Sequence, residues 1–376
     1  MKLIKNRNYQ SFLTPAIYVF ITTRIPLLIL ALFFIGFSQT SGNISFYDAF
    51  SQWDGQWYLK VAKEGYHWIG PTVQANVAFF PLYPLSAKII SLITGNLELS
   101  FIIVSHVSFF IFLVFSYKIS KLFSSEKLAF RSIWYLAIFP LSFVFSVIYG
   151  ESLFFMLCSG SLYYAYKNKW TAAAIFGFLA TLTRFSGLVL LPTLLYYYFK
   201  TKKIHKFTEI IKLFIIPLGV IFFSFYLWIK VGDFWAYFHV LKAWRIVYQN
   251  PALTILSTFS MIQTLPKIHY FTALGVLDLS IFVFFIILLI LSYKRLPREL
   301  FLFSTLIFLT YVFKSWDPRF FYSLGSTNRY LFEAFPLFFT LAKLGKNKLF
   351  DLTYTTLSLI FLGILSLSFF AGKWVL

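Results

Sequence analysis

The chain reads as an all-α polytopic membrane protein, on three observations. Of its 376 residues 59% are hydrophobic and only 12% are charged, against about 45–50% and 25% in soluble domains, and the mean hydropathy is +0.77. Basic residues gather at the ends of apolar runs: the clusters Lys2/Lys5/Arg7, Lys118/Lys121/Lys127/Arg131, Lys167/Lys169, Lys200/Lys202/Lys203/Lys206/Lys212, Lys294/Arg295/Arg298 and Lys343/Lys346/Lys348 hold 20 of the 33 Lys and Arg. Aromatics make up 23% of the chain, and many Trp and Tyr stand where apolar runs meet loops, as interfacial belts require. The placement of charge also decides what the net +20 means: it sets orientation, so nucleic-acid binding is the weaker reading.

With about 20 apolar residues per span, and shorter pieces where helices break, about eleven transmembrane helices can be threaded consistently with the charges. The first, 13–37, follows Lys2, Lys5 and Arg7. It exceeds the 7–15 residues of a signal-peptide core and is expected to be a retained anchor. Next comes an outside loop, 38–98. Within it Phe46, Phe50, Trp53, Trp57 and Val61 recur at spacings of three and four, which makes one apolar helical face, with Gly65 as a stop. Leu82, Leu85, Ile89 and Leu92 repeat that spacing after Pro81 and Pro84, predicting a second amphipathic, interfacial helix over 79–94. Treating 79–94 as a span would put the Lys118–Arg131 cluster outside. Further spans follow at 99–117, 132–148, 151–166, 170–184, 186–199 and 213–229. A second outside loop, 230–270, precedes spans 271–292 and 299–313; the polar segment 314–328 precedes 329–342 and 353–371. The N-terminus is then inside and the C-terminus outside. The organisation expected is a transmembrane module over 1–230 and a C-terminal one over 231–376.

Charge that such a chain keeps on its outside face is the place to look for chemistry. Asp54 sits among Trp53, Trp57 and Tyr58, where a carboxylate is costly unless it binds or takes a proton from something polar. An interfacial carboxylate reaching to water is the plain alternative. Asp48 is nearby. Arg184 and Arg329 lie at outside span ends beside hydroxyl residues, Arg329 next to Tyr330, and a planar guanidinium suits phosphate oxygens. Either arginine alone is equally explained by lipid phosphate or helix carbonyls. Glu151 opens a span, which the helix dipole alone favours. Lys242 and Arg245, with His239 and Trp244, face a ligand or simply water. The five histidines show no ligand spacing and Cys158 is the single cysteine, so no protein-built metal cage, resident cofactor or disulfide framework is expected. There is no GxGxxG after a strand and no GxxxxGK[ST]. A donor carried in the membrane is therefore favoured over a soluble nucleotide.

Trp53-Asp-Gly-Gln-Trp-Tyr-Leu-Lys-Val-Ala-Lys-Glu-Gly-Tyr66, followed by Ala78-Phe-Phe-Pro-Leu-Tyr-Pro84, resembles the signature of the GPI mannosyltransferase II (PIG-V-like) family and its prokaryotic relatives, integral-membrane glycosyltransferases of GT-C type. Tyr149-Gly-Glu-Ser-Leu-Phe154, Leu182-Thr-Arg-Phe-Ser-Gly-Leu188 and Asn328-Arg-Tyr-Leu-Phe-Glu-Ala-Phe-Pro336 resemble its later landmarks in order. Phe185 stands where the family commonly has proline after the arginine. The resemblance implies a GT-C catalytic module with Asp54 as catalytic residue on the extracytoplasmic face. It implies a polyprenyl-phosphate sugar, usually mannose, as donor, and a hydroxyl of a lipid-linked or cell-envelope acceptor. A prokaryotic plasma membrane is the compartment expected. A transporter or flippase for lipid-linked sugars, or a non-enzymatic membrane scaffold, are the rival expectations.

Overall fold

The computed structural model describes residues 4–38, 44–202, 206–267, 269–317 and 324–375, with side chains from residue 13 onward. Lys2, Lys203 and His205 lie outside the described residues, as do the side chains of Lys5 and Arg7. In chain order the first helices are α1 (Ile4–Ser38), α2 (Phe46–Phe50), α3 (Asp54–Glu64), α4 (Leu82–Thr94), α5 (Leu97–Lys121) and α6 (Glu126–Ala137). They are followed by α7 (Glu151–Tyr166), α8 (Trp170–Thr181), α9 (Leu190–Thr201), α10 (Phe207–Leu213), α11 (Leu218–Val231) and α12 (Ala236–Val240). After strand β1 (Ile246–Tyr248) come α13 (Pro251–Thr264), α14 (Tyr270–Ser292) and α15 (Arg298–Val312). Strand β2 (Lys314–Trp316), α16 (Thr327–Leu331), α17 (Leu337–Leu344) and α18 (Lys348–Phe370) complete the order.

The protein is thus a helical, polytopic membrane protein, and the one sheet among the described residues is a small addition that the sequence did not announce. β1 and β2 pair antiparallel, Ile246 opposite Trp316 and Tyr248 opposite Lys314. Each strand has only three residues in a polar loop, too short for an alternating pattern to register.

Among the described residues, four helices are long and apolar enough to cross a bilayer: Leu13–Ser38, Leu97–Lys121, Tyr270–Ser292 and Lys348–Phe370. The pair α10 and α11, bent by 44°, makes a fifth if counted as one span. The other expected spans are shorter helices, and proline explains three of the breaks. Pro217 separates α10 from α11, Pro336 precedes α17, and Pro140 opens a 3₁₀ turn, Pro140–Phe145, in place of the second half of 132–148. Proline lacks the N–H that the helix ladder needs and clashes with the carbonyl four residues back.

Two compact units result. The first comprises Met1–Gly65, Phe79–Val220 and Phe338–Trp374; the second comprises Tyr66–Ala78, Ile221–Leu337 and Val375–Leu376. In the first, the break at Pro140 is bridged by Arg24 of α1, which is 3% exposed. Its Nη2 donates to Ala137 O at 2.7 Å and to Ser142 Oγ at 3.3 Å. Nη1 donates to Ser142 O at 2.8 Å and to Ser146 Oγ at 3.1 Å, and Nε to Thr23 Oγ1 at 3.2 Å. The five guanidinium donors thus have five acceptors. Non-helical backbone in an apolar setting survives only where its polar groups are satisfied. The stripe Leu85, Ile89 and Leu92 of α4 is more than half exposed, while Tyr83, Pro84 and Ala87 face inward.

In the second unit, Asn328 Nδ2 donates to both the carbonyl and Oδ1 of Asp278 in α14, each at 2.8 Å. The loop expected at 230–270 holds α13, whose Leu253, Leu256 and Phe259 are exposed.

Candidate active site

The aromatic run around Asp54 forms two helices. α2 ends at Ser51, the chain turns through Gln52 and Trp53, and α3 starts afresh at Asp54. Trp53 adopts φ 54°, a conformation that costs a non-glycine residue about 1–3 kcal/mol unless its surroundings hold it. Its indole Nε1 donates to Lys373 O at 3.3 Å and its ring meets Trp374 edge-on, centroids 5.0 Å apart. The single apolar face expected from Phe46 to Val61 is therefore split: Phe50 and Val61 are buried, whereas Trp53 is 40% exposed. Asp54 gains the first position of a helix, where open N–H groups and the dipole favour its carboxylate. Gly65, at φ 80°, stops α3 where the sequence places the stop.

Asp48 has a local role. Its carboxylate closes the capping box of α2, accepting from the Ser45 N–H at 3.3 Å and the Ser45 hydroxyl at 2.7 Å.

Tyr58 lies one turn beyond Asp54 on the same helix face. It packs edge-on against Phe79 and Tyr83, both at 5.0 Å, and Trp57 lies parallel to Phe79 at 6.1 Å. A Cβ on Gly150 would fall 2.9 Å from the Tyr58 hydroxyl, and one on Gly55 would fall 3.3 Å from Ile148 O. Only glycine lets α3 lie this close to the 148–150 turn, which Phe50 O also holds by accepting from the Ile148 N–H at 2.9 Å. Ser105 Oγ bonds Val147 O at 3.0 Å and the Tyr83 hydroxyl at 2.7 Å. Burial pushes the Tyr83 phenol well above its ordinary range and keeps it neutral.

That turn delivers Glu151 as the first residue of α7. Glu151 is 1% exposed, and its Oε1 accepts from Arg184 Nη1 at 2.7 Å. The sequence treats these two as separate candidates, a phosphate ligand and a helix-start carboxylate; the fold joins them in an ion pair whose carboxylate is buried and whose guanidinium is mostly so. Arg184 rides a turn anchored by the Leu82 N–H, which donates to Leu182 O at 3.0 Å. Segments 53–65, 79–84, 149–154 and 182–188 therefore meet in the first unit. Deleting one partner of a buried pair strands the other charge, at a cost of about 3–5 kcal/mol. Glu151→Leu and Arg184→Met are each expected to lower the melting temperature of the purified protein sharply, and the double variant less than their sum. Strict additivity of the two losses would show that the pair is not coupled.

The second unit carries the other cations. Arg329 is buried and its Nη2 donates to the Tyr330 hydroxyl at 3.1 Å, with the guanidinium 5.0 Å from that ring. Tyr330 stacks on Tyr311 at 4.7 Å, and Lys314 Nζ lies 4.3 Å from the Tyr330 ring centre. The Tyr311 hydroxyl donates to Glu333 Oε1 at 3.3 Å. Lys242 and Arg245 are exposed; Arg245 takes φ 56°, and its carbonyl accepts from the Asp317 N–H at 2.9 Å. His239 bonds Asp233 through Nδ1 at 2.6 Å. Among the described residues no three His, Cys, Asp or Glu side chains are grouped to hold a metal ion.

The sequence reading passes over Arg24, Lys314, Asp278 and Glu333. Arg24 and Asp278 carry a signal that was there to use: an ionisable residue inside an apolar run is expensive and marks a site or a structural tie. Lys314 has none, because its aromatic neighbours come together only on folding.

No protein-family model matches the chain, and no curated protein matches it in sequence. Solved structures do match its fold. ArnT from Cupriavidus metallidurans, crystallised bound to undecaprenyl phosphate, is similar with a TM-score of 0.51 and 12% identity, over 86% of this chain and 60% of that one. The apo oligosaccharyltransferase of Archaeoglobus fulgidus gives 0.47 and 11%, over 99% and 57%. Oligosaccharyltransferase AglB from the same organism, in complex with an inhibitory peptide and a dolichol-phosphate, gives 0.44 and 10%, over 90% and 55%. The chain spans a little over half the length of these structures. At such identities the ArnT likeness establishes the fold alone: the helices of this chain are arranged like those of ArnT over most of its length.

Proposed function

We propose that the protein is a glycosyltransferase that takes a sugar, mannose in the first instance, from a polyprenyl-phosphate donor and places it on a hydroxyl of a lipid-linked or cell-envelope acceptor. The observation that carries this reading is the packing of α3, which opens at Asp54, through Gly55 and Tyr58 against the turn that leads into Glu151 and its partner Arg184, inside a fold like that of ArnT. Asp54 takes the proton of the acceptor hydroxyl as its oxygen attacks the anomeric carbon. The bond from that carbon to the phosphate oxygen breaks, and its electron pair leaves on polyprenyl phosphate with inversion at the sugar. Arg184 stabilises the charge developing on the leaving phosphate, where a prepositioned cation acts most strongly, and Glu151 aims its guanidinium. Trp57 and Tyr58 form the sugar-facing aromatic wall. The Arg329, Tyr330 and Lys314 group of the second unit holds an anionic head group.

On this reading the N-terminus is cytoplasmic, the chemistry lies on the extracytoplasmic side of a prokaryotic plasma membrane, and α4 lies along the interface. The exposed apolar stripe of α4 supports that last point. The match to a PIG-V-like mannosyltransferase rests on the motifs alone.

The test is incubation of the purified protein with polyprenyl-phosphate mannose and a membrane lipid extract, followed by mass spectrometry. A mannosylated product is expected. Movement of labelled donor across vesicles with no new glycosidic bond would establish a flippase instead.

A further inference from the structure

Within the first unit, α1, α2, α5, α18 and the 3₁₀ turn after Pro140 enclose a cavity of about 260 Å³. We propose that this cavity holds the hydrocarbon chain of the acceptor, so that the hydroxyl delivered to Asp54 belongs to a membrane lipid. The proposal rests on the transferase reading above.

The cavity's walls select for hydrocarbon. Nine of the twelve residues lining it are aliphatic or aromatic. Its volume falls just below the roughly 300 Å³ at which pockets for compact ligands begin. It suits a slender chain better than a sugar.

Its polar floor argues against a head group. Arg24 stands there with its five donors already given to Thr23, Ala137, Ser142 and Ser146. No N–H is left for a phosphate. His106 turns Nδ1 back to Ile102 O of its own helix at 2.9 Å. What the floor offers an occupant is therefore mostly apolar surface, the reverse of an anion site.

The rim opens toward lipid. Leu28 of α1 and Leu99 of α5 line the cavity and are 42% and 37% exposed. They belong to two of the helices able to span the membrane, so hydrocarbon is what lies outside.

The cavity also points to one substrate and not the other. Its α2 wall is Phe46 stacked on Phe50 at 4.7 Å, with Phe50 against Phe370 at 5.3 Å. Four residues beyond Phe50 stands Asp54, the group that must touch the acceptor hydroxyl. Arg184, the ligand assigned to the donor phosphate, lies instead on the turn bonded to Leu82 at the start of α4. The α2 wall of the cavity is thus the element that leads, through the Trp53 turn, into the helix of the proposed base.

The experiment uses the full chain in phosphatidylcholine vesicles with two probes, a phospholipid bearing a mid-chain diazirine and a photoreactive polyprenyl phosphate. After irradiation, labelled peptides are mapped by mass spectrometry. The phospholipid is expected to label 13–38 and 97–121, and Leu28→Trp or Ile103→Trp to abolish that labelling. In transfer assays the same variants are expected to raise the apparent KM for lipid extract about tenfold, with the KM for polyprenyl-phosphate mannose unchanged. Melting temperatures of the two variants confirm folding, and Leu28, at the rim, tolerates the larger ring. Labelling of these peptides by the polyprenyl probe alone, with a raised donor KM, would overturn the proposal in favour of a donor groove. Absence of labelling in a protein that transfers sugar would overturn the cavity assignment by itself. Labelling in a protein that forms no glycosidic product would instead overturn the transferase reading, and the acceptor assignment with it.

Discussion

Asp54→Asn is expected to slow sugar transfer by about 100- to 10,000-fold, the contribution of a positioned general base, while the protein keeps its melting temperature. Asparagine is close in shape and forgoes only the dipole's preference for a carboxylate at the first helical position, about 0.3–1 kcal/mol. What it removes is the basic, charged carboxylate oxygen that takes the acceptor proton. Asp54→Glu keeps the carboxylate but moves it by a methylene, and an intermediate rate is expected because misplacement by about 1 Å costs on the order of a hundredfold. Both are read from initial rates of product formation with polyprenyl-phosphate mannose. An Asp54→Asn protein working within tenfold of wild type would end the assignment.

Arg24→Leu should produce a large loss of stability, about 3–5 kcal/mol, through two effects of the same sign. In the folded protein the five bonds of its guanidinium disappear, and bonds from a charged donor are worth about 1.5–3 kcal/mol each when lost singly. In the unfolded but inserted chain, an arginine amid lipid costs about 2.5–3.5 kcal/mol, and leucine relieves it. Ala137 O keeps one partner, the Ser142 hydroxyl at 2.6 Å, which limits the total. Arg24→Lys should restore only part of the stability, since an ammonium offers three donors and no planar fork. Thermal unfolding in detergent measures all three proteins; a leucine variant melting with the wild type would show that the break at Pro140 needs no bridge.

Why the sequence foretold some of this and not the rest follows from how each feature is encoded. Apolar length and flanking charge are local, so α1, α5, α14 and α18 stand out. An apolar run does not show where its helix stops inside: Pro140 and Pro336 were visible, but a membrane helix can also carry proline as a kink, and only the neighbours that satisfy the freed carbonyls decide between the two. The motifs around Asp54, Glu151 and Arg184 were legible as motifs. Their partnership was not, because Arg184 and Glu151 are 33 residues apart and nothing local distinguishes a guanidinium that meets phosphate from one that meets glutamate. Asp48 differs in kind: its partner, Ser45, is three residues away, so the capping box that it closes is written in the local sequence. The split between α2 and α3 was hidden because a three-residue turn preserves the three-and-four spacing of the aromatics on either side.

The turn before Asp54 is held from 320 residues away, by the carbonyl of Lys373 on the Trp53 indole. During synthesis the chain runs on past Asp54 for that whole distance before the holding groups exist, which takes roughly 15–65 s at ordinary elongation rates. Through that interval the Trp53 indole lacks the carbonyl and the Trp374 ring that meet it in the folded protein. The order of translation thus makes the proposed base one of the last parts of the molecule to mature, after the helices around it have been threaded into the membrane.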